Sequence, residues 1–176
     1  MLLVAAYWRA NLTLRQLAPP FGVSKSAADR VIYHLGPMLA LQPRKRFAKD
    51  AVPIVDGTLV PTRDHRVAEQ SKNYRYSTNH EESGAKAAVG KTVTIADSGY
   101  PGTGLVMPHR RRKGEELSEW KQAHSKSHKR VRARVEHAFA RMKTWRILRD
   151  CCPLKGDGVH HAMLGVARLH NLNLAG

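Results

Sequence analysis

Residues 52–57 read VPIVDG, and residues 91–99 read KTVTIADSG. Each is a β-branched run that closes on an aspartate and meets a glycine within two residues. Val, Ile and Thr are stiff at χ1 and fit the pleat of a strand, and the glycine behind them supplies a turn. The two stretches predict buried strands with Asp56 and Asp97 at their tails, where a side chain leaves the sheet for solvent or for a site. One aspartate after a strand is ordinary turn chemistry. Two in the same setting, in a chain with only 14 acidic residues, ask for a shared reason.

A third carboxylate stands out further along. RVRARVEHAFARMKTWR (130–146) carries Glu136 alone among cations. The pattern predicts a long helix over about Ser127 to Arg149, after a shorter one over Glu115 to His124 and before a last one from Val159 to about Leu172. Val131, Val135, Phe139 and Met142 form its expected buried stripe, and Glu136 lies on the flank of that stripe with Arg132 and Lys143 near the same line. A solvated salt-bridge ladder would look the same and would contribute a few tenths of a kcal/mol per pair.

The composition names a partner. Thirty Lys and Arg against 14 Asp and Glu give a net charge of +16, which repels itself unless a polyanion such as nucleic acid is bound. With 42% hydrophobic and 6% aromatic residues, the chain can bury one modest core and an appendage, not two large domains. The two cysteines, Cys151 and Cys152, are adjacent and cannot form a spaced disulfide framework or a zinc knuckle, which points to a reducing compartment. His124 and His128 stand at i, i+4 but lack a third ligand for zinc. The opening MLLVAAYW meets Arg9 too early for a signal peptide or a membrane span and reads as a first helix.

From Thr13 the chain reads TLRQLAPPFGVSKSAADRVIYHL. Thr13 can cap Leu14 to Ala18 and Ser24 can cap a helix from Lys25 to Leu35, with a Pro-Pro-Phe-Gly-Val turn between them. Ala27, Val31 and Leu35 share one face, leaving Lys25, Ser26, Asp29, Arg30 and Tyr33 outward. This is a helix-turn-helix layout, whose second helix enters the major groove, with Lys25, Ser26 and Arg30 as contacts. A helical hairpin that only packs on a neighbour has similar periodicity. Residues 41–53, LQPRKRFAKDAVP, read as a linker. A loop between Gly99 and Pro108 leads into the cation run Arg110, Arg111, Arg112, which suits a DNA backbone.

Three carboxylates from two strand ends and a helix can hold two divalent ions about 4 Å apart, flanking the attacking and leaving oxygens of a phosphodiester displacement. Hard oxygen ligands suit Mg²⁺ or Mn²⁺.

At these residues the chain resembles the DDE-type transposases of bacterial insertion sequences, in an IS-five-like group. The likeness runs through the helix-turn-helix, DGTLVPTRD (56–64), SKNYRYSTN (71–79), TIADSGYPG (94–102) and RARVEHAFARMK (132–143). Arg132, Glu136 and Lys143 match the family's Tyr-x2-Arg-x3-Glu-x6-Lys spacing, with Lys129 where the Tyr would stand. The resemblance implies that Asp56, Asp97 and Glu136 are the catalytic and metal-holding acids of an RNase H-like core, and that Arg132 and Lys143 contact DNA. It implies an enzyme that cleaves transposon terminal inverted repeats and joins them to target DNA. The family core needs three antiparallel strands after the first acid, but YRYSTNH, which reads as the start of the second, passes straight to EESGAKAAVG, a helical pattern. Only 40 residues lie between Asp56 and Asp97, and a strand is missing near His80.

The expectation is therefore an α/β chain: a helix-turn-helix domain at 1–40, a linker at 41–53, and a shortened RNase H-like endonuclease domain at 54–176. The alternative is a non-catalytic DNA-binding remnant, or an inhibitor of the full-length enzyme. A bacterial, cytoplasmic, nucleoid-associated place is expected, with no membrane partner and with a homodimer among the assemblies left open.

Overall fold

A computed structural model of the chain describes residues 1–42, 48, 50–62, 75–76, 92–97, 104–111, 113–114, 116–150, 153–154 and 157–175. It divides into two compact units, one of Met1–Gln42, Leu59–Ser77 and Ala140–Gly176, the other of Pro43–Thr58 and Thr78–Phe139.

The first unit is mostly helical. Helix α1 (Leu2–Ala10) buries Leu3, Val4, Tyr7 and Trp8 on one face and stops at Asn11, whose left-handed backbone (φ 49°) lets its N–H donate to the Tyr7 carbonyl. Asn is one of the few residues that adopts this conformation at modest strain. Helix α2 (Leu14–Leu17) starts at Thr13, whose backbone N–H and hydroxyl both donate to the Gln16 side-chain oxygen. A 3₁₀ turn over Pro19–Phe21 ends at Gly22, with φ 63°. Ser24 Oγ then accepts from the Ala27 N–H at 3.1 Å and opens helix α3 (Lys25–Leu39). Both predicted caps are therefore in place.

Two expectations for α3 change. It runs past Leu35 to Leu39, because Gly36 and Pro37 near its end interrupt one hydrogen bond without unwinding the last turn. Its buried line is Ala28, Ile32, Gly36 and Leu39, one residue round from the predicted Ala27, Val31 and Leu35, which are half-buried. Packing chose between two adjacent apolar stripes. The glycine line won because it lets the fully buried Trp8 ring approach α3 at Gly36. Lys25, Ser26, Asp29, Arg30 and Tyr33 are exposed on either reading.

Strands β2 (Val60–Pro61) and β3 (Arg75–Tyr76) pair antiparallel, Val60 opposite Tyr76. The stretch expected as the second strand is thus the third, paired with an earlier segment. Helix α5 (Arg146–Arg149) buries Ile147 and Leu148, and α6 (Asp157–Ala175) buries Val159, Ala162 and Val166 at helical spacing. Arg168 donates to the Met38 carbonyl at 3.1 Å, so a side chain of α6 satisfies an orphan carbonyl at the end of α3.

In the second unit β1 (Ile54–Val55) and β4 (Ile95–Ala96) run parallel, Ile54 opposite Ile95 and Val55 opposite Ala96. Val106 joins the other edge of β4: its N–H donates to the Thr94 carbonyl and its carbonyl accepts from the Ala96 N–H. The segment expected as pure loop therefore carries a strand contact. Helix α4 spans Glu119–Met142 without a break, so the two helices predicted on either side of Ser125-Lys126 are one. Serine and lysine are tolerable inside a helix, and a capping signal is decisive only where the chain actually turns. It turns instead at 143–145, before α5. Of the expected stripe Met142 is buried while Val131, Val135 and Phe139 are half-buried, and His128 is buried as well. The region near His80 lies outside the described residues. Among the described residues no helix is long and apolar enough to cross a membrane.

Candidate functional site: three carboxylates around one guanidinium

The parallel register decides the site. Because Val55 faces Ala96, the next residues, Asp56 and Asp97, leave neighbouring strands at the same edge. Strands in a sheet lie about 4.8 Å apart, so the two carboxylates emerge side by side. Helix α4 supplies the rest from one face, with His128, Arg132 and Glu136 at i, i+4 and i+8.

The three acids converge on Arg132. Its Nη2 lies 3.0 Å from Asp56 Oδ2, 3.9 Å from Asp97 Oδ2 and 3.7 Å from Glu136 Oε1. Asp97 and Glu136 oxygens are therefore within about 7.6 Å of each other, the sum of their two distances to that nitrogen. Asp56 is the deepest, with its side chain 7% exposed, against 34% for Asp97 and 62% for Glu136. Asp56 also accepts from the Gly57 N–H through Oδ1 at 2.9 Å, which orients the carboxylate towards the helix.

Burial works to lower the pKa of Arg132 and is the largest single effect on it, but the hydrogen bond to Asp56 and the charges of Asp56, Asp97 and Glu136 together outweigh it and leave the pKa raised. The guanidinium is a fixed positive charge under all practical conditions. Its buried Nε has no hydrogen-bond partner. A cation held by opposing charges, with one donor left orphaned, occupies the place where oxygen ligands meet.

Among the described residues no group of three or more His, Cys, Asp or Glu is arranged to hold a metal ion as it stands. The point common to the three acids is taken by a guanidinium nitrogen. The donor set itself, three carboxylates from rigid elements, fits a hard divalent cation.

The cations singled out in the sequence fall in separate places. Lys25, Ser26 and Arg30 lie exposed on the first turns of α3 in the first unit. Arg110 and Arg111 are exposed in the second unit, and Arg112 lies outside the described residues. Lys143 is half-buried in the turn beyond Met142, in the first unit. Arg132 faces the acids.

One residue of the site enters the sequence reading only as a zinc ligand that lacks partners. His128 is buried, and its Nε2 lies 2.8 Å from the Ala96 carbonyl and 3.3 Å from the Val106 carbonyl. The signal was its four-residue spacing from Arg132 and Glu136, which places all three on one side of α4. Reading it as half of a ligand pair with His124 hid that alignment.

Comparison with known proteins agrees with this arrangement of parts. Residues 52–171 match the DDE superfamily endonuclease family, and residues 1–45 match the helix-turn-helix of DDE superfamily endonuclease. The chain is 71% identical to a Streptomyces albus G protein named as a transposase for insertion sequence element IS112, over 99% of this chain and 79% of that one. No solved structure matches. With both parts matched in order and a relative this close, the chain belongs to the DDE superfamily of endonucleases, among the transposases of insertion sequences.

Proposed function

We propose that the chain cleaves the terminal inverted repeats of its insertion sequence and joins the ends to target DNA, with Asp56, Asp97 and Glu136 as the acids that hold divalent ions, Mg²⁺ or Mn²⁺. One observation carries the reading: two strand ends and one helix face bring three carboxylates to a common point. Divalent ions bound by such acids supply charge stabilisation for the attacking and leaving oxygens of a phosphodiester displacement. The chain's own residues do the rest. Asp56 and Asp97 are held by neighbouring strands in register, Glu136 approaches from α4, and Lys25, Ser26 and Arg30 on α3 hold the terminal repeat through the major groove. Arg110 to Arg112 and Lys143 add backbone contacts. The parallel β1–β4 pair, with an acid after each strand, supports a shortened RNase H-like core. The partner is DNA, the place the bacterial nucleoid, and two copies of the chain would serve two ends.

A second reading is a DNA-binding remnant or inhibitor without cleavage, and one finding favours it. The alignment with the Streptomyces relative is 204 residues long while this chain has 176, so about 28 of its positions have no counterpart here. Were a loss of that size to fall between Asp56 and Asp97, it would strip hydrogen-bond partners from the strand next to the one that carries Asp56.

The experiment is Mg²⁺-dependent nicking of terminal-repeat DNA by the pure protein, beside Asp97→Asn. Nicking by the wild type alone supports cleavage at these acids. Salt-sensitive binding without nicking under any divalent metal supports the remnant.

A further inference from the structure

We propose that His128 is a positioning residue for the acid cluster: it clamps the end of β4 to α4 and so fixes Asp97 relative to Arg132 and Glu136. The inference rests on the assignment of the three acids above, and it adds a residue to their support.

The geometry is specific. Carbonyl oxygens only accept, so the His128 nitrogen 2.8 Å from Ala96 O and 3.3 Å from Val106 O must carry the hydrogen. The bonded tautomer is thereby set. Ala96 is the residue immediately before Asp97, and Val106 sits on the far edge of β4, so one imidazole ties the last residue of the strand and its neighbour to the helix. The same helix carries Arg132 one turn later and Glu136 one turn beyond that. A strand of two residues has few ladder bonds of its own, and the buried donor from α4 is what relates its end to the helix. Ligand-holding side chains keep productive geometry only where a second set of contacts fixes their backbone.

The Nε2 hydrogen of this histidine is committed to two carbonyls, and the neighbouring His124 ring stands 6.3 Å away by centroid. Loss of the donor would leave two carbonyls of buried or half-buried residues without it, and would let the end of β4 move independently of α4.

The test uses the full chain with His128→Gln, His128→Asn and His128→Leu. The glutamine amide nitrogen reaches about as far as Nε2 and still donates, whereas asparagine is too short and leucine cannot donate. The first readout needs no metal: hydrogen exchange of the Ala96 and Val106 amides, both bonded in the β4 ladder. Exchange at these two amides should be at least about tenfold faster in the Asn and Leu variants and close to wild type in the Gln variant, with amides of α1 and α3 unchanged. The second readout is Mn²⁺ affinity, followed by loss of the free-ion electron-spin signal. Gln should keep wild-type affinity within about threefold, and Asn and Leu should lose about tenfold or more. Should Leu lose its helical circular dichroism, the Gln and Asn pair decides alone. Equal exchange in Gln and Asn, or equal Mn²⁺ affinity in all forms that bind it, overturns the proposal. If the wild type takes up no Mn²⁺, the acid-site reading fails, and the exchange data still judge the clamp.

Discussion

Replacing Arg132 with methionine removes the cation at the centre of the acid cluster while keeping much of its apolar stem. The effect can be sized from the structure. Asp56, 7% exposed and 3.0 Å from the guanidinium, would become a buried carboxylate without its opposing charge. Breaking a fully buried pair by removing one partner costs about 3–5 kcal/mol. Arg132 itself is 23% exposed, which lets water compensate part of the loss. Asp97 and Glu136 are more open and their pairs longer, so each adds a few tenths of a kcal/mol at most. The metal-free protein should therefore lose about 2–4 kcal/mol, measured by urea unfolding with circular dichroism. Adding Asp56→Asn to Arg132→Met should restore about half of that, because the stranded charge is gone. Divalent metal adds a third arm. With no guanidinium at the shared point, Mg²⁺ should protect the Arg132→Met protein against unfolding more than it protects the wild type. A loss below about 0.5 kcal/mol in the metal-free variant, or equal protection by Mg²⁺ in both proteins, would refute the view that this arginine acts as the resident counterion of the acids.

Other consequences are independent of that site. A Cβ built on Gly165 would overlap the Trp8 ring, so Gly165→Ala should destabilise the first unit by about 1–3 kcal/mol, read as a lowered thermal midpoint. Lys25→Ala and Arg30→Ala should each reduce the slope of log affinity against log salt by about 0.9 for terminal-repeat DNA, while Ser26→Ala leaves the slope alone, as fluorescence anisotropy can report. Asp150 bonds Arg149 and Arg146, and these hydrogen bonds, foremost that from Arg149, pull its pKa down to about 2. Its folded pKa lies below the unfolded one, so these contacts stabilise fully above the usual aspartate range and are lost as pH falls through about 2. A carboxyl titration by NMR with a midpoint in the ordinary range would contradict the geometry.

What the sequence made legible was local chemistry. Thr13 and Ser24 were readable as caps because a side-chain oxygen at that offset has few other uses. The strands at Ile54–Val55 and Ile95–Ala96 were readable from β-branching, and the acids at their tails from what followed. What failed depended on distant partners. The α3 face was misplaced by one residue because Ala27 and Ala28, or Val31 and Ile32, are equally apolar. Only the position of Trp8 against Gly36 separates them. The sequence shows Arg132 four residues from one glutamate and cannot show it 3.0 Å from Asp56, 76 positions away. His128 escaped for the same reason, since its partners are backbone carbonyls and carbonyls carry no sequence signature.

Register is the quantity on which the candidate chemistry turns. A strand advances about 3.3 Å per residue and turns its side chains over at each step. If β4 slipped by a single residue against β1, Asp97 would move by that distance and point to the other face, and the three oxygens could no longer meet at one atom. Nothing in two-residue strands resists such a slip strongly, since hydrophobic alternation needs length to discriminate between registers. Within the ladder the Ile95 N–H donates to the Pro53 carbonyl at 2.9 Å, and outside it the Val106 segment bonds Thr94 and Ala96 from the other edge and His128 holds Ala96 to α4. Two of these three restraints lie on residues 106 and 128, C-terminal to the second acid. Neither of those two restraints lies between the acids, so a change of chain length between Asp56 and Asp97 would leave most of what sets the register of β4. The side of the site with fewer such restraints is β1 with Asp56, the acid that Arg132 holds most closely.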